Sequence, residues 1–395
     1  MTLWSHYFFV KKVVIYKYKC YNLLINFVLK EAHLSYPKLI FNLKNLSKNI
    51  SEVKKMCNKK GIKIAGVTKG VFGDLKISQL FLDEGIDQLA SSRLNQLKKF
   101  KNKFNIETLQ LRIPMISELD EVLKYVDISL QSELKVLKVL NEKAKKKTKI
   151  HKVVLMVDLG DLREGFFNEK NLLNVARWVF NSSNLKLEGV GTNLGCYGAI
   201  KPTYKNLKKL SDLATEIEKK ITKKPLEIIS GGATTSLPLV IDEKIPEKIN
   251  HLRVGEGILL ARDLCDLWGY PTKELSKDTL SIKAEVIEIK EKPSHPVGEI
   301  FIDAFGNKPT YEDKGIRKRA LLALGKQDIG HHDKLIPKDK NIDIVGSSSD
   351  HLILDISDCE KDYKIGDILE FNLYYQAMLY SSMNPNIKKI YKTNL

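Results

Sequence analysis

The chain has 395 residues, 43% of them hydrophobic and 29% charged, which suits a barrel-sized globular unit with a smaller second one and excludes a disordered or fibrous protein. The net charge of +17 is spread along helical faces, as in Lys98-Lys99-Phe100-Lys101-Asn102-Lys103. It is not the aromatic-interleaved basic stripe of a nucleic-acid binder.

Residues 1–33 differ from the rest. They are rich in Tyr, Phe and Lys, and basic residues interrupt every apolar run. Residues 23–29 form an apolar run too short to span a bilayer. No small-residue cleavage site follows, so the segment does not read as a secretory signal. The expectation is a disordered extension, or upstream sequence read as coding with Leu34 as an alternative start. No membrane association is expected.

From residue 34 the pattern is regular. Pro37 to Leu43 predicts a strand, and Leu46 to Met56 an amphipathic helix. Strands then alternate with helices, which argues for parallel strands and crossovers. The eight strands expected of the barrel cover 63–68, 88–91, 108–113, 128–131, 153–159, 187–193, 226–230 and 251–254. Helices are expected at 76–84, 94–100, 132–145, 169–181 and 204–220. This predicts an α/β fold, a (β/α)8 TIM-type barrel over 34–262. Trp268-Gly269-Tyr270-Pro271 marks a linker over 263–280. Residues 281–395 carry six strand-like runs punctuated by turn residues, which predicts a smaller C-terminal all-β domain.

The candidate chemistry starts at Ile62-Lys63-Ile64-Ala65-Gly66-Val67-Thr68-Lys69-Gly70. Lys69 ends a buried parallel strand, where barrels carry their active sites. A desolvated lysine amine loses its proton more easily and can condense with an aldehyde. Polar and glycine clusters sit at later strand ends: Asp158-Leu159-Gly160-Asp161-Leu162-Arg163-Glu164-Gly165, Thr192-Asn193-Leu194-Gly195-Cys196-Tyr197-Gly198, Ser230-Gly231-Gly232-Ala233-Thr234-Thr235-Ser236 and Arg253-Val254-Gly255-Glu256-Gly257. Small and hydroxyl residues after strands seven and eight suit a phosphate cradle, because backbone N–H groups approach an anion only where side chains are small. The five cysteines (Cys20, Cys57, Cys196, Cys265, Cys359) show no metal-ligand spacing, and neither do His331-His332 and His351. No metal site is expected, and scattered thiols suggest a reducing cytoplasm.

Taken together these runs resemble the alanine racemase family of pyridoxal-phosphate enzymes, over Tyr36 to about Tyr391. Gly66-Val67-Thr68-Lys69, Leu111-Arg112-Ile113-Pro114-Met115, the Met156–Gly165 run, Ile302-Asp303-Ala304-Phe305-Gly306 and Ser348-Ser349-Asp350-His351-Leu352 are most similar to its ornithine racemase branch. The resemblance implies pyridoxal 5'-phosphate as cofactor and amino-acid racemisation as activity, with ornithine as favoured substrate. It implies Lys69 as the residue that carries the cofactor and acts as first base. Arg163 would position substrate and cofactor, and Arg253 would face the pyridine nitrogen. Thr234 and the backbone of Gly255 and Glu256 would hold the phosphate. Asn193 stands where the family has a histidine against the cofactor ring. A head-to-tail homodimer with shared active sites is also implied. Because an arginine keeps its proton, the ring nitrogen opposite Arg253 would stay unprotonated, which favours reprotonation over transamination.

The family's catalytic tyrosine lies in a Gly-Tyr-x-Asp-Gly segment, and Gly325-Lys326-Gln327-Asp328-Ile329-Gly330 has none. Racemisation by two bases needs an acid/base on the face opposite Lys69. Asp328, Asp350 and His351 are the expected candidates, with Lys326 behind them. Glu299, Asp303, Asp328 and Asp350 are candidates for an acidic wall against a basic side chain. Other readings are a racemase of alanine or another amino acid, a barrel-type decarboxylase through Cys359-Glu360-Lys361-Asp362, or a non-catalytic cofactor carrier.

Overall fold

The computed structural model describes residues 35–393, so the expectations for residues 1–33 lie outside the described residues. Strand β1 (Lys38–Asn42) leads into the helix Leu43–Asn58. Asn42 caps that helix, its side chain accepting from Asn45 N at 3.1 Å. Leu46, Asn49, Ile50, Val53 and Cys57 are its buried residues, spaced as one helical face.

Eight parallel strands then close a barrel. They are β2 (Lys63–Val67), β3 (Gln88–Ser91), β4 (Thr108–Gln110), β5 (Ile128–Gln131), β6 (His151–Val157), β7 (Leu185–Thr192), β8 (Ile228–Ser230) and β9 (His251–Val254). β9 pairs back to β2, with Ala65 opposite Arg253. The period-two pleat divides each strand between two cores. In β6, Val154 and Met156 pack inside the barrel with Ala65, Val67, Ala90 and Leu130. Val153, Leu155 and Val157 face the surrounding helices. All eight predicted strands are present. The third of them, β4, stops at Gln110, three residues short of the predicted end.

After the barrel, the strands are β10 (Leu280–Pro293), β11 (Ile316–Ala323), β12 (Leu335–Pro337), β13 (Asp343–Ser347), β14 (His351–Asp355), β15 (Ile368–Leu373) and β16 (Lys388–Lys392). They form one sheet in the order β12-β15-β10-β11-β14-β13, joined by β1. β1 is antiparallel to β10 and parallel to β16. The first strand, expected with the 34–262 segment, therefore hydrogen-bonds into the second sheet. The Asn42 N–H also donates to Thr279 O at 2.8 Å. The strand-rich part further holds the helix Tyr375–Met383, which the sequence reading did not assign.

Candidate active site

The C-terminal ends of the barrel strands open on a cavity of about 340 Å³, a size suited to a small cofactor and its substrate. Lys69, Arg163, Asn193, Thr234, Arg253, Gly255 and Glu256 all line it. The sequence clusters on separate strand ends thus converge on one space.

Lys69 follows β2 in a single 3-10 turn, Lys69–Val71. Val71 N donates to Thr68 O at 3.2 Å, and Thr68 N to Ala90 O at 3.3 Å. The turn is thereby pinned to its own strand and to β3. The helix Tyr375–Met383 packs over it from the second sheet's side. A methyl on Gly70 would lie 2.6 Å from Met378 Cε, so only glycine admits this approach without Met378 shifting. Burial holds the Lys69 amine below the ordinary lysine range. The guanidiniums of Arg163 and Arg253 push the same way, against Cys196 and Glu164. A larger share of neutral, nucleophilic amine at physiological pH follows.

Arg253 is 4% exposed. Its Nη2 donates to Thr192 O at 2.8 Å, and its Nη1 to Ser230 Oγ. Burial pulls its guanidinium down to about 10, still charged at neutral pH. Arg163 stays charged because Glu164 accepts from it on two nitrogens. Its Nη1 donates to Cys196 Sγ at 2.7 Å.

Several atoms here lack partners within the chain. Asn193 Nδ2 and Glu256 Oε2 are buried without a hydrogen bond. Buried polar atoms are normally satisfied, so these point to a ligand. Thr234 Oγ1 accepts from Gly257 N at 3.0 Å, beside first-turn N–H groups that have no intrahelical acceptor. The residues present fit pyridoxal phosphate: an amine for its aldehyde, Thr234 and the Gly255–Glu256 backbone for its phosphate, and Arg253 for its ring nitrogen. Burial and the nearby Asp263 carboxylate push the Glu256 carboxyl up, which limits repulsion of a phosphate.

The expected second-base candidates stand apart from this cavity within the chain. Asp328 is buried, and both its oxygens are engaged: Oδ2 accepts from Gly325 N at 2.8 Å and Oδ1 from Asn384 Nδ2 at 2.7 Å. It caps a turn. Asp350 and His351 are exposed at the start of β14, where Gln327 Nε2 donates to Asp350 and Ser348 meets His351 Nδ1 at 3.4 Å. Of the acidic-wall residues, Asp303 Oδ1 is taken by Phe305 N at 2.9 Å and Asn307 N at 2.8 Å. Lys326 stacks its ammonium over Phe305 at 3.5 Å. Cys359 is half-buried and away from the cavity lining. Among the described residues no His, Cys, Asp and Glu cluster could hold a metal ion.

Sequence reasoning missed Glu164, Cys196, Asp263 and Tyr375, which also line the cavity. Cys196 stands in the Thr192–Gly198 run, between Gly195 and Gly198. Tyr375 lay on the unassigned helix.

The alanine racemase N-terminal domain model matches residues 41–263. The chain belongs to the alanine racemase family. It is 43% identical to an ornithine racemase of Acetoanaerobium sticklandii, over 90% of this chain and 99% of that one. It is 40% identical to a lysine racemase of Thermotoga maritima, over 91% and 99%. Among solved structures, an alanine racemase from Streptomyces lavendulae aligns with a TM-score of 0.72 at 13% identity, over 91% of this chain and 98% of that one. An alanine racemase from Bartonella henselae, solved with covalently bound pyridoxal phosphate, aligns with a TM-score of 0.69 at 15% identity, over 91% and 100%. These two likenesses extend the shared fold across both the barrel and the second sheet.

Proposed function

We propose that this chain is a pyridoxal-phosphate-dependent amino-acid racemase acting on a basic amino acid, with ornithine the favoured substrate. The carrying observation is the half-buried Lys69 amine sharing one cavity with Arg163 and Arg253. The relatives at 43% and 40% identity, named for ornithine and lysine, support a substrate with a second ammonium.

When bound, pyridoxal phosphate withdraws electrons from the substrate Cα and makes its C–H bond acidic. Lys69 would hold the cofactor and, once released by the incoming substrate amine, take the Cα proton from its own face. The buried Arg253 keeps a fixed positive charge under the cavity. Arg163, locked by Glu164, presents a fixed edge that positions rather than transfers protons. The Lys69 turn, held by the Tyr375–Met383 helix, keeps the amine aimed at one place. Asp263 adds a carboxyl to the lining, which would complement a basic substrate side chain.

The reading extends to assembly and setting. Val297, Phe301, Ile302 and Phe305 are exposed on the loop before β11, and Leu162 and Tyr197 at the barrel mouth. Apolar groups in this number suit cover by a second copy, in a head-to-tail homodimer. Asp350 and His351 would then reach a mouth only across the subunit boundary. No helix of the described residues is long and apolar enough to cross a membrane, and Cys57, Cys196, Cys265 and Cys359 are unpaired. Both fit work in the cytoplasm.

The test is chiral chromatography of L-ornithine, L-lysine and L-alanine incubated with the holoenzyme in deuterated water. Loss of optical purity with deuterium at Cα, fastest for ornithine, is expected. Retained optical purity for every amino acid, or release of carbon dioxide, sinks the reading. Borohydride reduction followed by peptide mass spectrometry should map the cofactor to Lys69.

A further inference from the structure

Lys69 accounts for one face of the substrate. The other face needs its own proton donor and acceptor, and the expected tyrosine is absent. The titratable side chains lining the cavity fall into two groups by position in the strand ring. Glu256 and Asp263 follow β9, which pairs directly with β2. Tyr375 lies against Gly70. These three approach from the side of Lys69. From the far side, at the ends of β6 and β7, come Arg163, Glu164 and Cys196. Arg163 keeps its proton, and Glu164 is occupied by two arginine nitrogens. Within one subunit, that leaves the thiol.

We propose that Cys196 is the acid/base serving the substrate face opposite Lys69, a reading that rests on the proposed racemase activity. β7 stands three strand steps from β2 around the closed ring of eight, so the two side chains meet the cavity from well-separated directions. Lys69 and Cys196 line the same cavity of about 340 Å³, which sets both within reach of one small substrate. The cavity they share is built for a ligand: Glu256, 8% exposed, lines it with an Oε2 that has no partner.

The thiol is held in place by its surroundings. Asp161 is 1% exposed and accepts from three N–H groups of this loop: Cys196 at 3.2 Å, Tyr197 at 3.1 Å and Ile200 at 3.4 Å. Gly195 has φ +69, a conformation costly for other residues. At Gly198 a methyl would lie 2.6 Å from Asp161 O. The loop therefore closes tightly on both sides of Cys196. Arg163 Nη1 donates to the sulfur at 2.7 Å and offsets the charge left there when the proton departs.

The proton balance is simple. In one direction the Cα–H bond breaks toward Lys69 Nζ, and the S–H bond of Cys196 breaks to form a new Cα–H bond on the opposite face. Lys69 ends as ammonium and Cys196 as thiolate. The reverse direction starts from that pair, and solvent exchange resets the resting state. Nothing is oxidised or reduced.

The test uses full-length holoenzyme with L- and D-ornithine in deuterated water, read by chiral chromatography and by deuterium at Cα. Cys196→Ala is expected to lose racemisation at least about 100-fold, the usual worth of a positioned acid/base. The enantiomer whose Cα–H faces Lys69 should still exchange its proton without inverting. Cys196→Ser, nearly isosteric, should show the same split. Iodoacetamide alkylation of the wild-type protein, mapped to Cys196 by peptide mass spectrometry, should do so without any folding defect. In the cofactor-free protein, added pyridoxal phosphate should slow that alkylation. Near wild-type racemisation after alkylation or in Cys196→Ala overturns the assignment. So does equal loss of exchange from both enantiomers, or labelling indifferent to the cofactor. Absence of racemisation in the unmodified holoenzyme instead overturns the parent reading, and this one with it.

Discussion

Arg253 on β9 donates through Nη2 to the main-chain oxygen of Thr192 on β7 at 2.8 Å, crossing over the end of β8 where Ser230 takes a second bond. One buried cation thus ties three strand ends together beneath the cavity. Replacing it with a shorter neutral group, Arg253→Gln, unties them and leaves buried acceptors unmatched. A loss of about 1–3 kcal/mol is expected in urea melts of the cofactor-free protein, together with a fall in racemisation. Unchanged melting would mean that Thr192 O and Ser230 Oγ find other partners.

Lys69 carries a burial cost while no ligand covers it. Its folded value lies below the ordinary 10.5, so between the two values the unfolded chain binds the extra proton. The penalty is therefore full below the folded value and fades as pH rises toward 10.5. Lys69→Met should raise the melting temperature of the cofactor-free protein at pH 7, and by less at pH 10. It should also abolish the visible absorbance acquired on adding cofactor. A destabilised variant at pH 7 contradicts the sign.

Two buried histidines give the barrel an acid-side weakness. His151 is pushed down to about 4 and His251 to about 3, both by burial. His251 sits between Ser230 Oγ at 2.9 Å and Gln88 Oε1 at 3.0 Å. Below about 6.5 the unfolded chain takes protons that the fold refuses, so stability rises with pH across that window. Each group contributes a slope of about 1.4 kcal/mol per pH unit between its two values. His251→Gln should flatten the change in melting temperature between pH 7 and pH 5. A profile equal to wild type would show that this histidine is not the cause.

Asp161 anchors the loop carrying Cys196 by three accepted hydrogen bonds. Asp161→Ala should cost about 1–2 kcal/mol in chemical denaturation, since three N–H groups of the loop lose their acceptor. Hydrogen exchange should quicken at residues 196–200 in particular. Protection unchanged at those amides would show that the loop is held by other means.

The barrel was legible because alternation of apolar strands with amphipathic helices survives in the sequence, as in 153–159 followed by 169–181. The cavity lining was legible where glycine and hydroxyl runs fall at strand ends, while the roles expected of Thr234, Arg253 and Gly255 came only with the family resemblance. Lys69 was legible as a charge where a buried strand should have none. Other features left no local trace. Lys38–Asn42 is buried throughout, and such a strand reads the same whichever sheet receives it. Tyr375 sits on a mostly apolar helix amid strands, and only tertiary packing sets it against Gly70. Asp328 shows the converse: its carboxylate caps a buried turn, and nothing in its neighbours distinguishes that from a free acid. Cys196 owes its position to Asp161, 35 residues away, a pairing that spacing does not reveal.

The placement of β1 has a consequence for biosynthesis. Its partners, β10 and β16, lie some 240 and 350 residues downstream. During translation Leu39 and Phe41, both fully buried in the finished protein, wait without a sheet to join while all eight barrel strands emerge. A nascent chain paused after β9 would hold a complete ring and a sticky leading edge, a natural client for a chaperone. Among the described residues, the last strand to leave the ribosome zips alongside the first, so maturation closes at the seam of β1 and β16.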